Sequence, residues 1–115
     1  MACVVAGCTP KTINGAYIYK QGDLSARYIF QPDGTVIYNS NLEGKIYHTK
    51  TGNGVYIIQG KQVIVSLHGM MDMTSPFNFK IAFKRNGKDL VELYTVDANG
   101  QTNADHQYRY EGLNQ

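Results

Sequence analysis

Apolar and polar residues alternate along several short segments of this chain, and the alternation predicts β-strands. The clearest example is residues 77–83, where every second residue is apolar and the residues between them are mostly polar. Residues 63–67 repeat the pattern. A period of two places one set of side chains on a buried face and the other set in solvent. We expect one shared inward face, formed by Phe77, Phe79, Ile81 and Phe83 together with Val63, Val65 and Leu67.

Turn residues separate these segments at intervals of about eight to twelve residues. Asn-Gly and Asp-Gly supply the positive φ that tight hairpins need, and Gly52-Asn53-Gly54 is one such predicted turn. No segment has a convincing helical period. The pattern predicts an all-β antiparallel sandwich or barrel with about eight to ten strands and very little helix. The predicted strands lie near residues 12–20, 24–31, 34–40, 44–50, 54–59, 61–68, 77–85, 89–97 and 105–111.

One phrase occurs twice in the chain, as NGAYIYKQG at residues 14–22 and as NGVYIIQG at residues 53–60. Each copy opens with Asn-Gly, continues through a Tyr-Ile strand and ends at a glycine. Each copy is therefore predicted to begin a β-hairpin. The flanking residues diverge, which favours recurrence of a hairpin-forming sequence over internal duplication.

The order of these segments resembles that of small bacterial lipocalin-like (calycin-type) domains. Four features carry the resemblance: a Gly-x-Tyr at residues 15–17, an aromatic strand at 28–30, Asp-Gly-Thr at 33–35 and a second Gly-x-Tyr at 54–56. The likeness extends over residues 12–97. It implies an up-and-down barrel or barrel-like sheet that can hold a cavity. The main lipocalin family has a first-strand Trp, which this chain lacks, so the resemblance implies no particular ligand.

Composition indicates one globular domain. Hydrophobic residues make up 43% and charged residues 17% of the 115 residues, which is too apolar for a disordered chain. The net charge is +2 and the basic residues are scattered, so we expect no nucleic-acid partner. No apolar run reaches the length of about eighteen residues that predicts a transmembrane segment. We divide the chain into an N-terminal segment, residues 1–11, and a single β-barrel domain, residues 12–115; its oligomeric state is not predicted.

The N-terminal segment allows two interpretations. VAGC at residues 5–8 resembles a bacterial lipobox, in which Cys8 would be lipidated and the protein would be periplasmic or lipid-anchored. The apolar stretch before it is short and lacks a basic start. The favoured interpretation is therefore an edge strand in a soluble, cytoplasmic protein. Cys3 and Cys8 would lie about 16 Å apart in such a strand, too far for a disulfide, so we expect free thiols.

Catalytic motifs are absent from the sequence. It contains no GxSxG, HExxH, P-loop or GxGxxG motif. Most carboxylates stand in predicted turns, where Asp commonly caps its own backbone. His48 and His106 are isolated and are expected on strand surfaces. No cofactor is predicted.

The densest cluster of distinctive side chains is HGMMDM, which begins at His68 and contains Met70, Met71 and Met73. Thioethers together with an imidazole suit Cu(I). Unbranched thioethers also fill irregular gaps and line adaptable binding surfaces. The favoured interpretation is an apolar lid in a mobile connection over residues 69–76, and a Cu(I) site formed by His68 and the three methionines is the alternative.

Nine tyrosines are spread over most of the predicted strands. Tyr combines apolar area with one hydroxyl, which suits a pocket for an amphiphilic ligand or a protein interface. Cross-strand packing is the alternative use of these rings. The candidates for ligand binding are Tyr17, Tyr28, Tyr56, Tyr94 and Tyr108, together with Met70, Met71 and Met73.

Three functions are compatible with these patterns. The preferred one is a non-enzymatic barrel that binds a small apolar or amphiphilic ligand, which a cavity of about 300 Å³ or more would favour. The second is a protein-interaction module, such as an inhibitor or immunity-type protein, that meets a protein partner through a flat tyrosine-rich face. The third is a small hydrolase or isomerase with a titratable group buried in a cleft.

Overall fold

A computed structural model describes residues 12–42, 49–72 and 75–112, and the regular structure in them is entirely β. The all-β prediction with about eight to ten strands is confirmed. The two interpretations of residues 1–11, including lipidation of Cys8, and most of the strand predicted over 44–50 fall outside the described residues. No helix in the described ranges is long and apolar enough to cross a membrane. The described strands are β1 (Gly15–Gln21), β2 (Leu24–Phe30), β3 (Thr35–Leu42), β4 (Thr49–Gln59), β5 (Gln62–Met71), β6 (Ser75–Asn86), β7 (Asp89–Asp97), β8 (Gly100–Asn103) and β9 (Gln107–Gly112).

Eight of these strands form a closed antiparallel barrel. Each strand from β1 to β6 pairs with the next one along the chain, and β9 pairs with both β7 and β1. The barrel is therefore an up-and-down meander, in which closure removes exposed sheet edges from the wall. The seam between β7 and β9 is short, with only Leu90↔Tyr108 and Val91↔Gln107 in register. β8 is the additional strand and pairs with the second half of β7.

The core lies inside the barrel, as the alternation predicts. Val63, Val65, Leu67, Ile81 and Phe83 are all buried, which confirms most of the predicted inward face. The remaining two members, residues 77 and 79, pack against the same core but stay partly exposed. They lie toward the start of β6, where the barrel interior opens.

β4 is one continuous strand where the sequence predicts two. Gly52 and Gly54, part of the predicted turn, lie within β4 and pair with strands on both sides. A Cβ atom on Gly54 would overlap the carbonyl oxygen of Ser66 in β5. These glycines therefore permit a close approach of two strands rather than a chain reversal. As a consequence, the second copy of the repeated phrase begins inside a strand, whereas the first begins at the start of β1.

The two ends of the barrel differ. At one end, which we call the closed end, Ile13 and Tyr56 are buried. The Tyr56 hydroxyl accepts a hydrogen bond from the Ile13 backbone N–H at 2.9 Å and donates to the Gln31 carbonyl oxygen at 2.6 Å. At the other end, which we call the mouth, residues at or beside the β1–β2 and β7–β8 turns line a cavity.

Candidate ligand-binding site at the barrel mouth

A cavity of about 590 Å³ occupies the mouth end of the barrel interior. Its base is made of buried polar and aromatic side chains: Tyr28, Tyr38, Ser40, Glu92 and Tyr108. They come from four strands (β2, β3, β7 and β9), so closure of the barrel is what brings them together. The cavity thus has a polar base inside an otherwise apolar barrel.

Aromatic rings line the cavity in an unbroken series. Phe77 stacks on Phe79 with ring centroids 5.8 Å apart, and Phe79 meets Tyr38 edge to face at 5.6 Å. Tyr38 contacts Tyr28 at 4.8 Å, and Tyr28 contacts Tyr108 at 5.4 Å. These separations are typical of favourable aromatic pairs. The series gives the cavity a rigid apolar wall that reaches from the rim to the base.

Glu92 is the one charged side chain that is buried in the described parts of the chain, with 8% of the residue exposed. The Thr95 hydroxyl donates a hydrogen bond to its Oε2 at 3.0 Å. Nδ1 of His106 lies 3.2 Å from Oε1. Because a carboxylate accepts hydrogen bonds, the contact with His106 assigns a proton to Nδ1. Both carboxylate oxygens therefore have a side-chain donor at the cavity base.

An interruption of the strands holds His106 in this position. Residues 104–106 separate β8 from β9, and they bond the backbone of β7 opposite Glu92. The Glu92 N–H donates to the His106 carbonyl at 2.8 Å, and the Ala104 N–H donates to the Leu93 carbonyl at 3.2 Å. The imidazole stacks on the Tyr19 ring at 4.5 Å. His106 is exposed, as predicted, but it lies outside the strands and its ring contacts Tyr19 and Glu92, so it is not isolated.

A β-bulge determines which residues of β7 face the cavity. Tyr94 and Glu92 pair with the adjacent residues 82–83 of β6, so Leu93 is an extra residue in β7. An extra residue reverses the in–out alternation of a strand. Thr95 consequently lines the cavity, and Tyr94 does not. The bulge is the physical reason why Tyr94 is not among the residues that line this cavity.

The tyrosines at the base are neutral hydrogen-bonding groups. Burial raises the pKa of Tyr28 well above its ordinary value, and the neighbouring Tyr108, Tyr38 and Glu92 raise it further. Burial is also the main cause of the raised pKa of Tyr108, followed by the nearby Glu92. The pKa of Tyr38 is raised chiefly by burial. These hydroxyls therefore add no negative charge beside Glu92.

The structure divides the remaining tyrosine candidates between the two ends. Tyr28 and Tyr108 line the mouth cavity, and their binding of a ligand stays a prediction. Tyr56 belongs to the closed end, where its hydroxyl bonds the backbone. Tyr17 lies toward the same end and packs against Phe30 with ring centroids 5.6 Å apart. Tyr17 and Tyr56 therefore do not share a site with the other two.

The methionine cluster forms neither a lid nor a converging metal site in the described residues. Met70 and Met71 belong to β5 and pair with Pro76 and Ser75 of β6, so the mobile connection predicted over 69–76 is largely strand. Strand alternation places His68 and Met70 on the outer face and Met71 on the opposite face. None of the three lines the mouth cavity.

Metal binding gains no support from the rest of the described chain. Residues 12–42, 49–72 and 75–112 contain no group of three His, Cys, Asp or Glu residues that could hold a metal ion. Met73 and His48 lie outside these ranges. The Cu(I) alternative therefore has no set of converging ligands among the residues described.

Sequence reasoning missed Glu92 and His106, and only the first left a usable pattern. Glu92 stands two residues after Leu90 in a strand predicted correctly over residues 89–97, so alternation places its carboxylate on the face of a buried leucine. A carboxylate at such a position is a candidate for a functional site. His106 left no comparable pattern, because the interruption at residues 104–106 determines its position.

A scan against protein-family models, a search of the curated proteins and a search of the solved structures each gave no match. The class of protein that the structure defines is a closed eight-stranded β-barrel with one extra strand and a cavity at one end.

Proposed function

We propose that the protein binds a small amphiphilic ligand in the mouth cavity, in the manner that its resemblance to lipocalin-like domains implies. The observation that carries the proposal is the cavity itself. Its volume of about 590 Å³ falls within the range of about 300–1,000 Å³ that is typical of small-molecule sites. Apolar walls with a few convergent polar groups are also typical of such sites.

The distribution of polarity favours a ligand with distinct apolar and polar parts. The rings of Phe77 and Phe79 offer apolar surface near the rim. Ser40 and Glu92 offer polar groups at the base. A ligand that enters with its polar group first can bond the base while its apolar part covers the phenylalanines.

Titration with an environment-sensitive apolar dye tests this proposal. We expect saturable uptake at one site per chain, and we expect Phe77→Ala to weaken it by about tenfold through loss of ring contact, which corresponds to about 1.4 kcal/mol. Ile57→Ala is the matched control, because Ile57 is an apolar side chain on the outside of the barrel, 52% exposed. Unsaturable uptake, or equal effects of the two substitutions, would contradict the proposal.

Acid–base catalysis is a second candidate, favoured by the contact between His106 and Glu92. A carboxylate that holds Nδ1 of an imidazole leaves Nε2 as the nitrogen able to exchange a proton with a bound molecule. A small isomerase or hydrolase would use His106 in this way. Replacement of His106 by Gln should then abolish turnover while dye binding is retained, whereas a pure binding protein shows no turnover to lose.

A protein-interaction module that uses a tyrosine-rich face has weaker support. Each tyrosine in the described ranges is buried or part-buried. The large hydrophobic side chains exposed on the outside of β4 are Val55 and Ile57. We therefore place the interaction hypothesis behind the two hypotheses that use the cavity.

A further inference from the structure

Among the described residues, no lysine or arginine pairs with the buried carboxylate of Glu92. Buried charges in proteins are normally paired with an opposite charge. The basic side chain that contacts Glu92 is the His106 imidazole, with Nδ1 3.2 Å from Oε1, while Arg27 pairs with Glu111. The side-chain contacts of Glu92 thus comprise one neutral hydroxyl and one imidazole. A cation that enters the cavity would give this carboxylate a permanently charged partner.

The walls around the carboxylate suit the same kind of ligand. The face of an aromatic ring carries negative electrostatic potential and attracts a cation within about 6 Å of the ring centre. Tyr28, Tyr38 and Tyr108 surround the base with such rings, and all three are close enough to Glu92 for its charge to raise their pKa values. A carboxylate within a group of neutral aromatic rings is a favourable environment for an organic ammonium group.

The chain already places an ammonium group of its own against this wall. The Nζ atom of Lys50 lies 6.0 Å from the centre of the Phe77 ring, and Lys50 lines the rim of the cavity. Asp97 stands at the same rim with the opposite charge. A cationic ligand would be repelled by Lys50 and attracted by Glu92, whereas an anionic ligand would experience the reverse. The two residues therefore provide opposite tests of the charge of the ligand.

We propose that the ligand of the mouth cavity is an organic cation, such as an amine or a quaternary ammonium compound with an attached apolar group. This inference rests on the proposed binding function and adds the charge of the ligand to it. The positive group lies against Glu92 and the three tyrosine rings at the base. The apolar group lies along Phe77 and Phe79 toward the rim.

Three probes that share one alkyl chain and differ in the head group test the inference: octyltrimethylammonium, octanol and octanoate. Their affinities are measured by isothermal titration or by displacement of the apolar dye. We expect octyltrimethylammonium to bind at least about tenfold more tightly than octanol, which corresponds to about 1.4 kcal/mol. Octanoate should bind most weakly of the three.

Two substitutions with opposite expected effects on the affinity for the cationic probe sharpen the test. Glu92→Gln preserves the shape of the side chain. It should lower the affinity for octyltrimethylammonium by about tenfold, while the affinity for octanol should change by less than about twofold. Lys50→Gln removes the competing ammonium group at the rim. It should raise the affinity for octyltrimethylammonium by about twofold to fivefold. Circular dichroism of each variant verifies the fold. Lys50→Gln also keeps the test decisive if Glu92→Gln fails to fold.

The outcomes separate the two proposals. If octanol or octanoate binds as tightly as octyltrimethylammonium or more tightly, the proposal of a cationic ligand is wrong, and the proposed binding function is unaffected. Stronger binding of octanoate than of octyltrimethylammonium, together with its loss in Lys50→Gln, would assign the cavity to anions instead. Failure of all three probes and of the dye to bind would overturn the binding function, and the cation with it.

Discussion

The closed end and the mouth of this barrel use the same residue type for different purposes. At the closed end, the hydroxyl of Tyr56 forms hydrogen bonds with backbone groups of Ile13 and Gln31. At the mouth, Tyr28, Tyr38 and Tyr108 surround a buried carboxylate and a cavity. A tyrosine whose hydroxyl bonds the backbone stabilises the fold, whereas tyrosines grouped around a charge and an empty volume can serve a ligand. The neighbours of each hydroxyl, rather than the residue type, determine its role.

The largest expected difference between the two regions is the cost of removing one phenyl ring. Phe83 lies deep in the core with no exposed surface and contacts Tyr28 and Tyr108, each with ring centroids 5.2 Å away. Phe83→Ala should therefore lower the free energy of unfolding by about 3–5 kcal/mol. Phe79→Ala, at the mouth, should cost only about 1–2 kcal/mol because its ring is partly exposed. Denaturant titration of both variants measures the difference.

Equal losses for the two substitutions would remove the contrast, because the mouth would then be packed as tightly as the core. A loss below about 1 kcal/mol for Phe83→Ala would show instead that its site collapses around the missing ring. The outward-facing Ile57→Ala serves as a reference for side-chain removal without a cavity and should change stability by less than about 1 kcal/mol.

The fold could be predicted from the sequence because its core packs inside a regular barrel wall. Alternation identified Val63, Phe83 and their neighbours correctly, because a barrel wall with one buried face imposes a period of two on every strand. The pattern failed at Gly54, where an Asn-Gly pair predicts a turn but serves a close approach of β4 to β5. Short-range turn chemistry does not distinguish a glycine that reverses the chain from one that makes room for a neighbouring strand.

The next largest effect concerns the hydroxyl that closes the barrel. Tyr56→Phe removes the acceptor for the buried Ile13 N–H, which is left without that partner, and one donor to the Gln31 carbonyl oxygen, which keeps the Gly34 N–H. We expect a loss of about 1–3 kcal/mol in the free energy of unfolding. Tyr110→Phe is the matched control, since its hydroxyl donates to the Asn14 carbonyl oxygen at 3.1 Å in an exposed position.

Water can replace the lost hydroxyl as a partner of the exposed Asn14 carbonyl oxygen. Tyr110→Phe should therefore lower the free energy of unfolding by less than about 0.5 kcal/mol. A loss for Tyr56→Phe no larger than that of the control would mean that the closed end does not depend on this hydroxyl. Chemical denaturation followed by circular dichroism is suitable for both variants, because neither substitution alters the strand content.

The site was less predictable than the fold because it depends on irregularities. Tyr28 and Tyr108 could be chosen from strand position and residue type. Tyr94 could not be excluded, because the bulge at Leu93 that turns it away leaves no pattern in the sequence. His106 reaches Glu92 through the break at residues 104–106. Bulges and breaks are tertiary features, and single-sequence patterns capture only the regular parts of a strand.

A smaller effect distinguishes two capping aspartates, one at each end of β7. Asp89 joins the barrel seam near the closed end, accepting from the Tyr110 backbone N–H at 2.9 Å and from the Gln107 side chain at 3.0 Å. Asp97, at the mouth, accepts from the Asn99 N–H within its own turn at 2.8 Å. Asp89→Asn should lower stability at neutral pH by about 1 kcal/mol, a value reduced by the exposure of the group. Asp97→Asn should change it by less than about 0.5 kcal/mol.

The pH dependence of Asp89→Asn has a defined sign. The Tyr110 backbone N–H, followed by Gln107, lowers the pKa of Asp89 in the folded protein. A carboxyl group with a lowered folded-state pKa stabilises the protein above its unfolded-state pKa of about 3.9, and the contribution is lost as the pH falls through the folded-state pKa. The difference between wild type and Asp89→Asn should therefore be constant from neutral pH down to about 5 and shrink below about 4. A difference that grows in acid would contradict this assignment.

A similarly small effect on stability is expected at the mouth, for His106. Its side chain is 44% exposed, and its ring stacks on Tyr19 while Nδ1 contacts Glu92. Removal of the ring in His106→Ala uncovers Glu92 to solvent, so a water molecule can replace the lost donor and no buried group is left without a partner. We expect the free energy of unfolding to fall by less than about 0.5 kcal/mol. Thermal and denaturant unfolding of the variant measure this directly. A loss above about 2 kcal/mol would show that the contact between His106 and Glu92 supports the fold in the way that Tyr56 does, and the difference between the two ends of the barrel would then be one of shape alone.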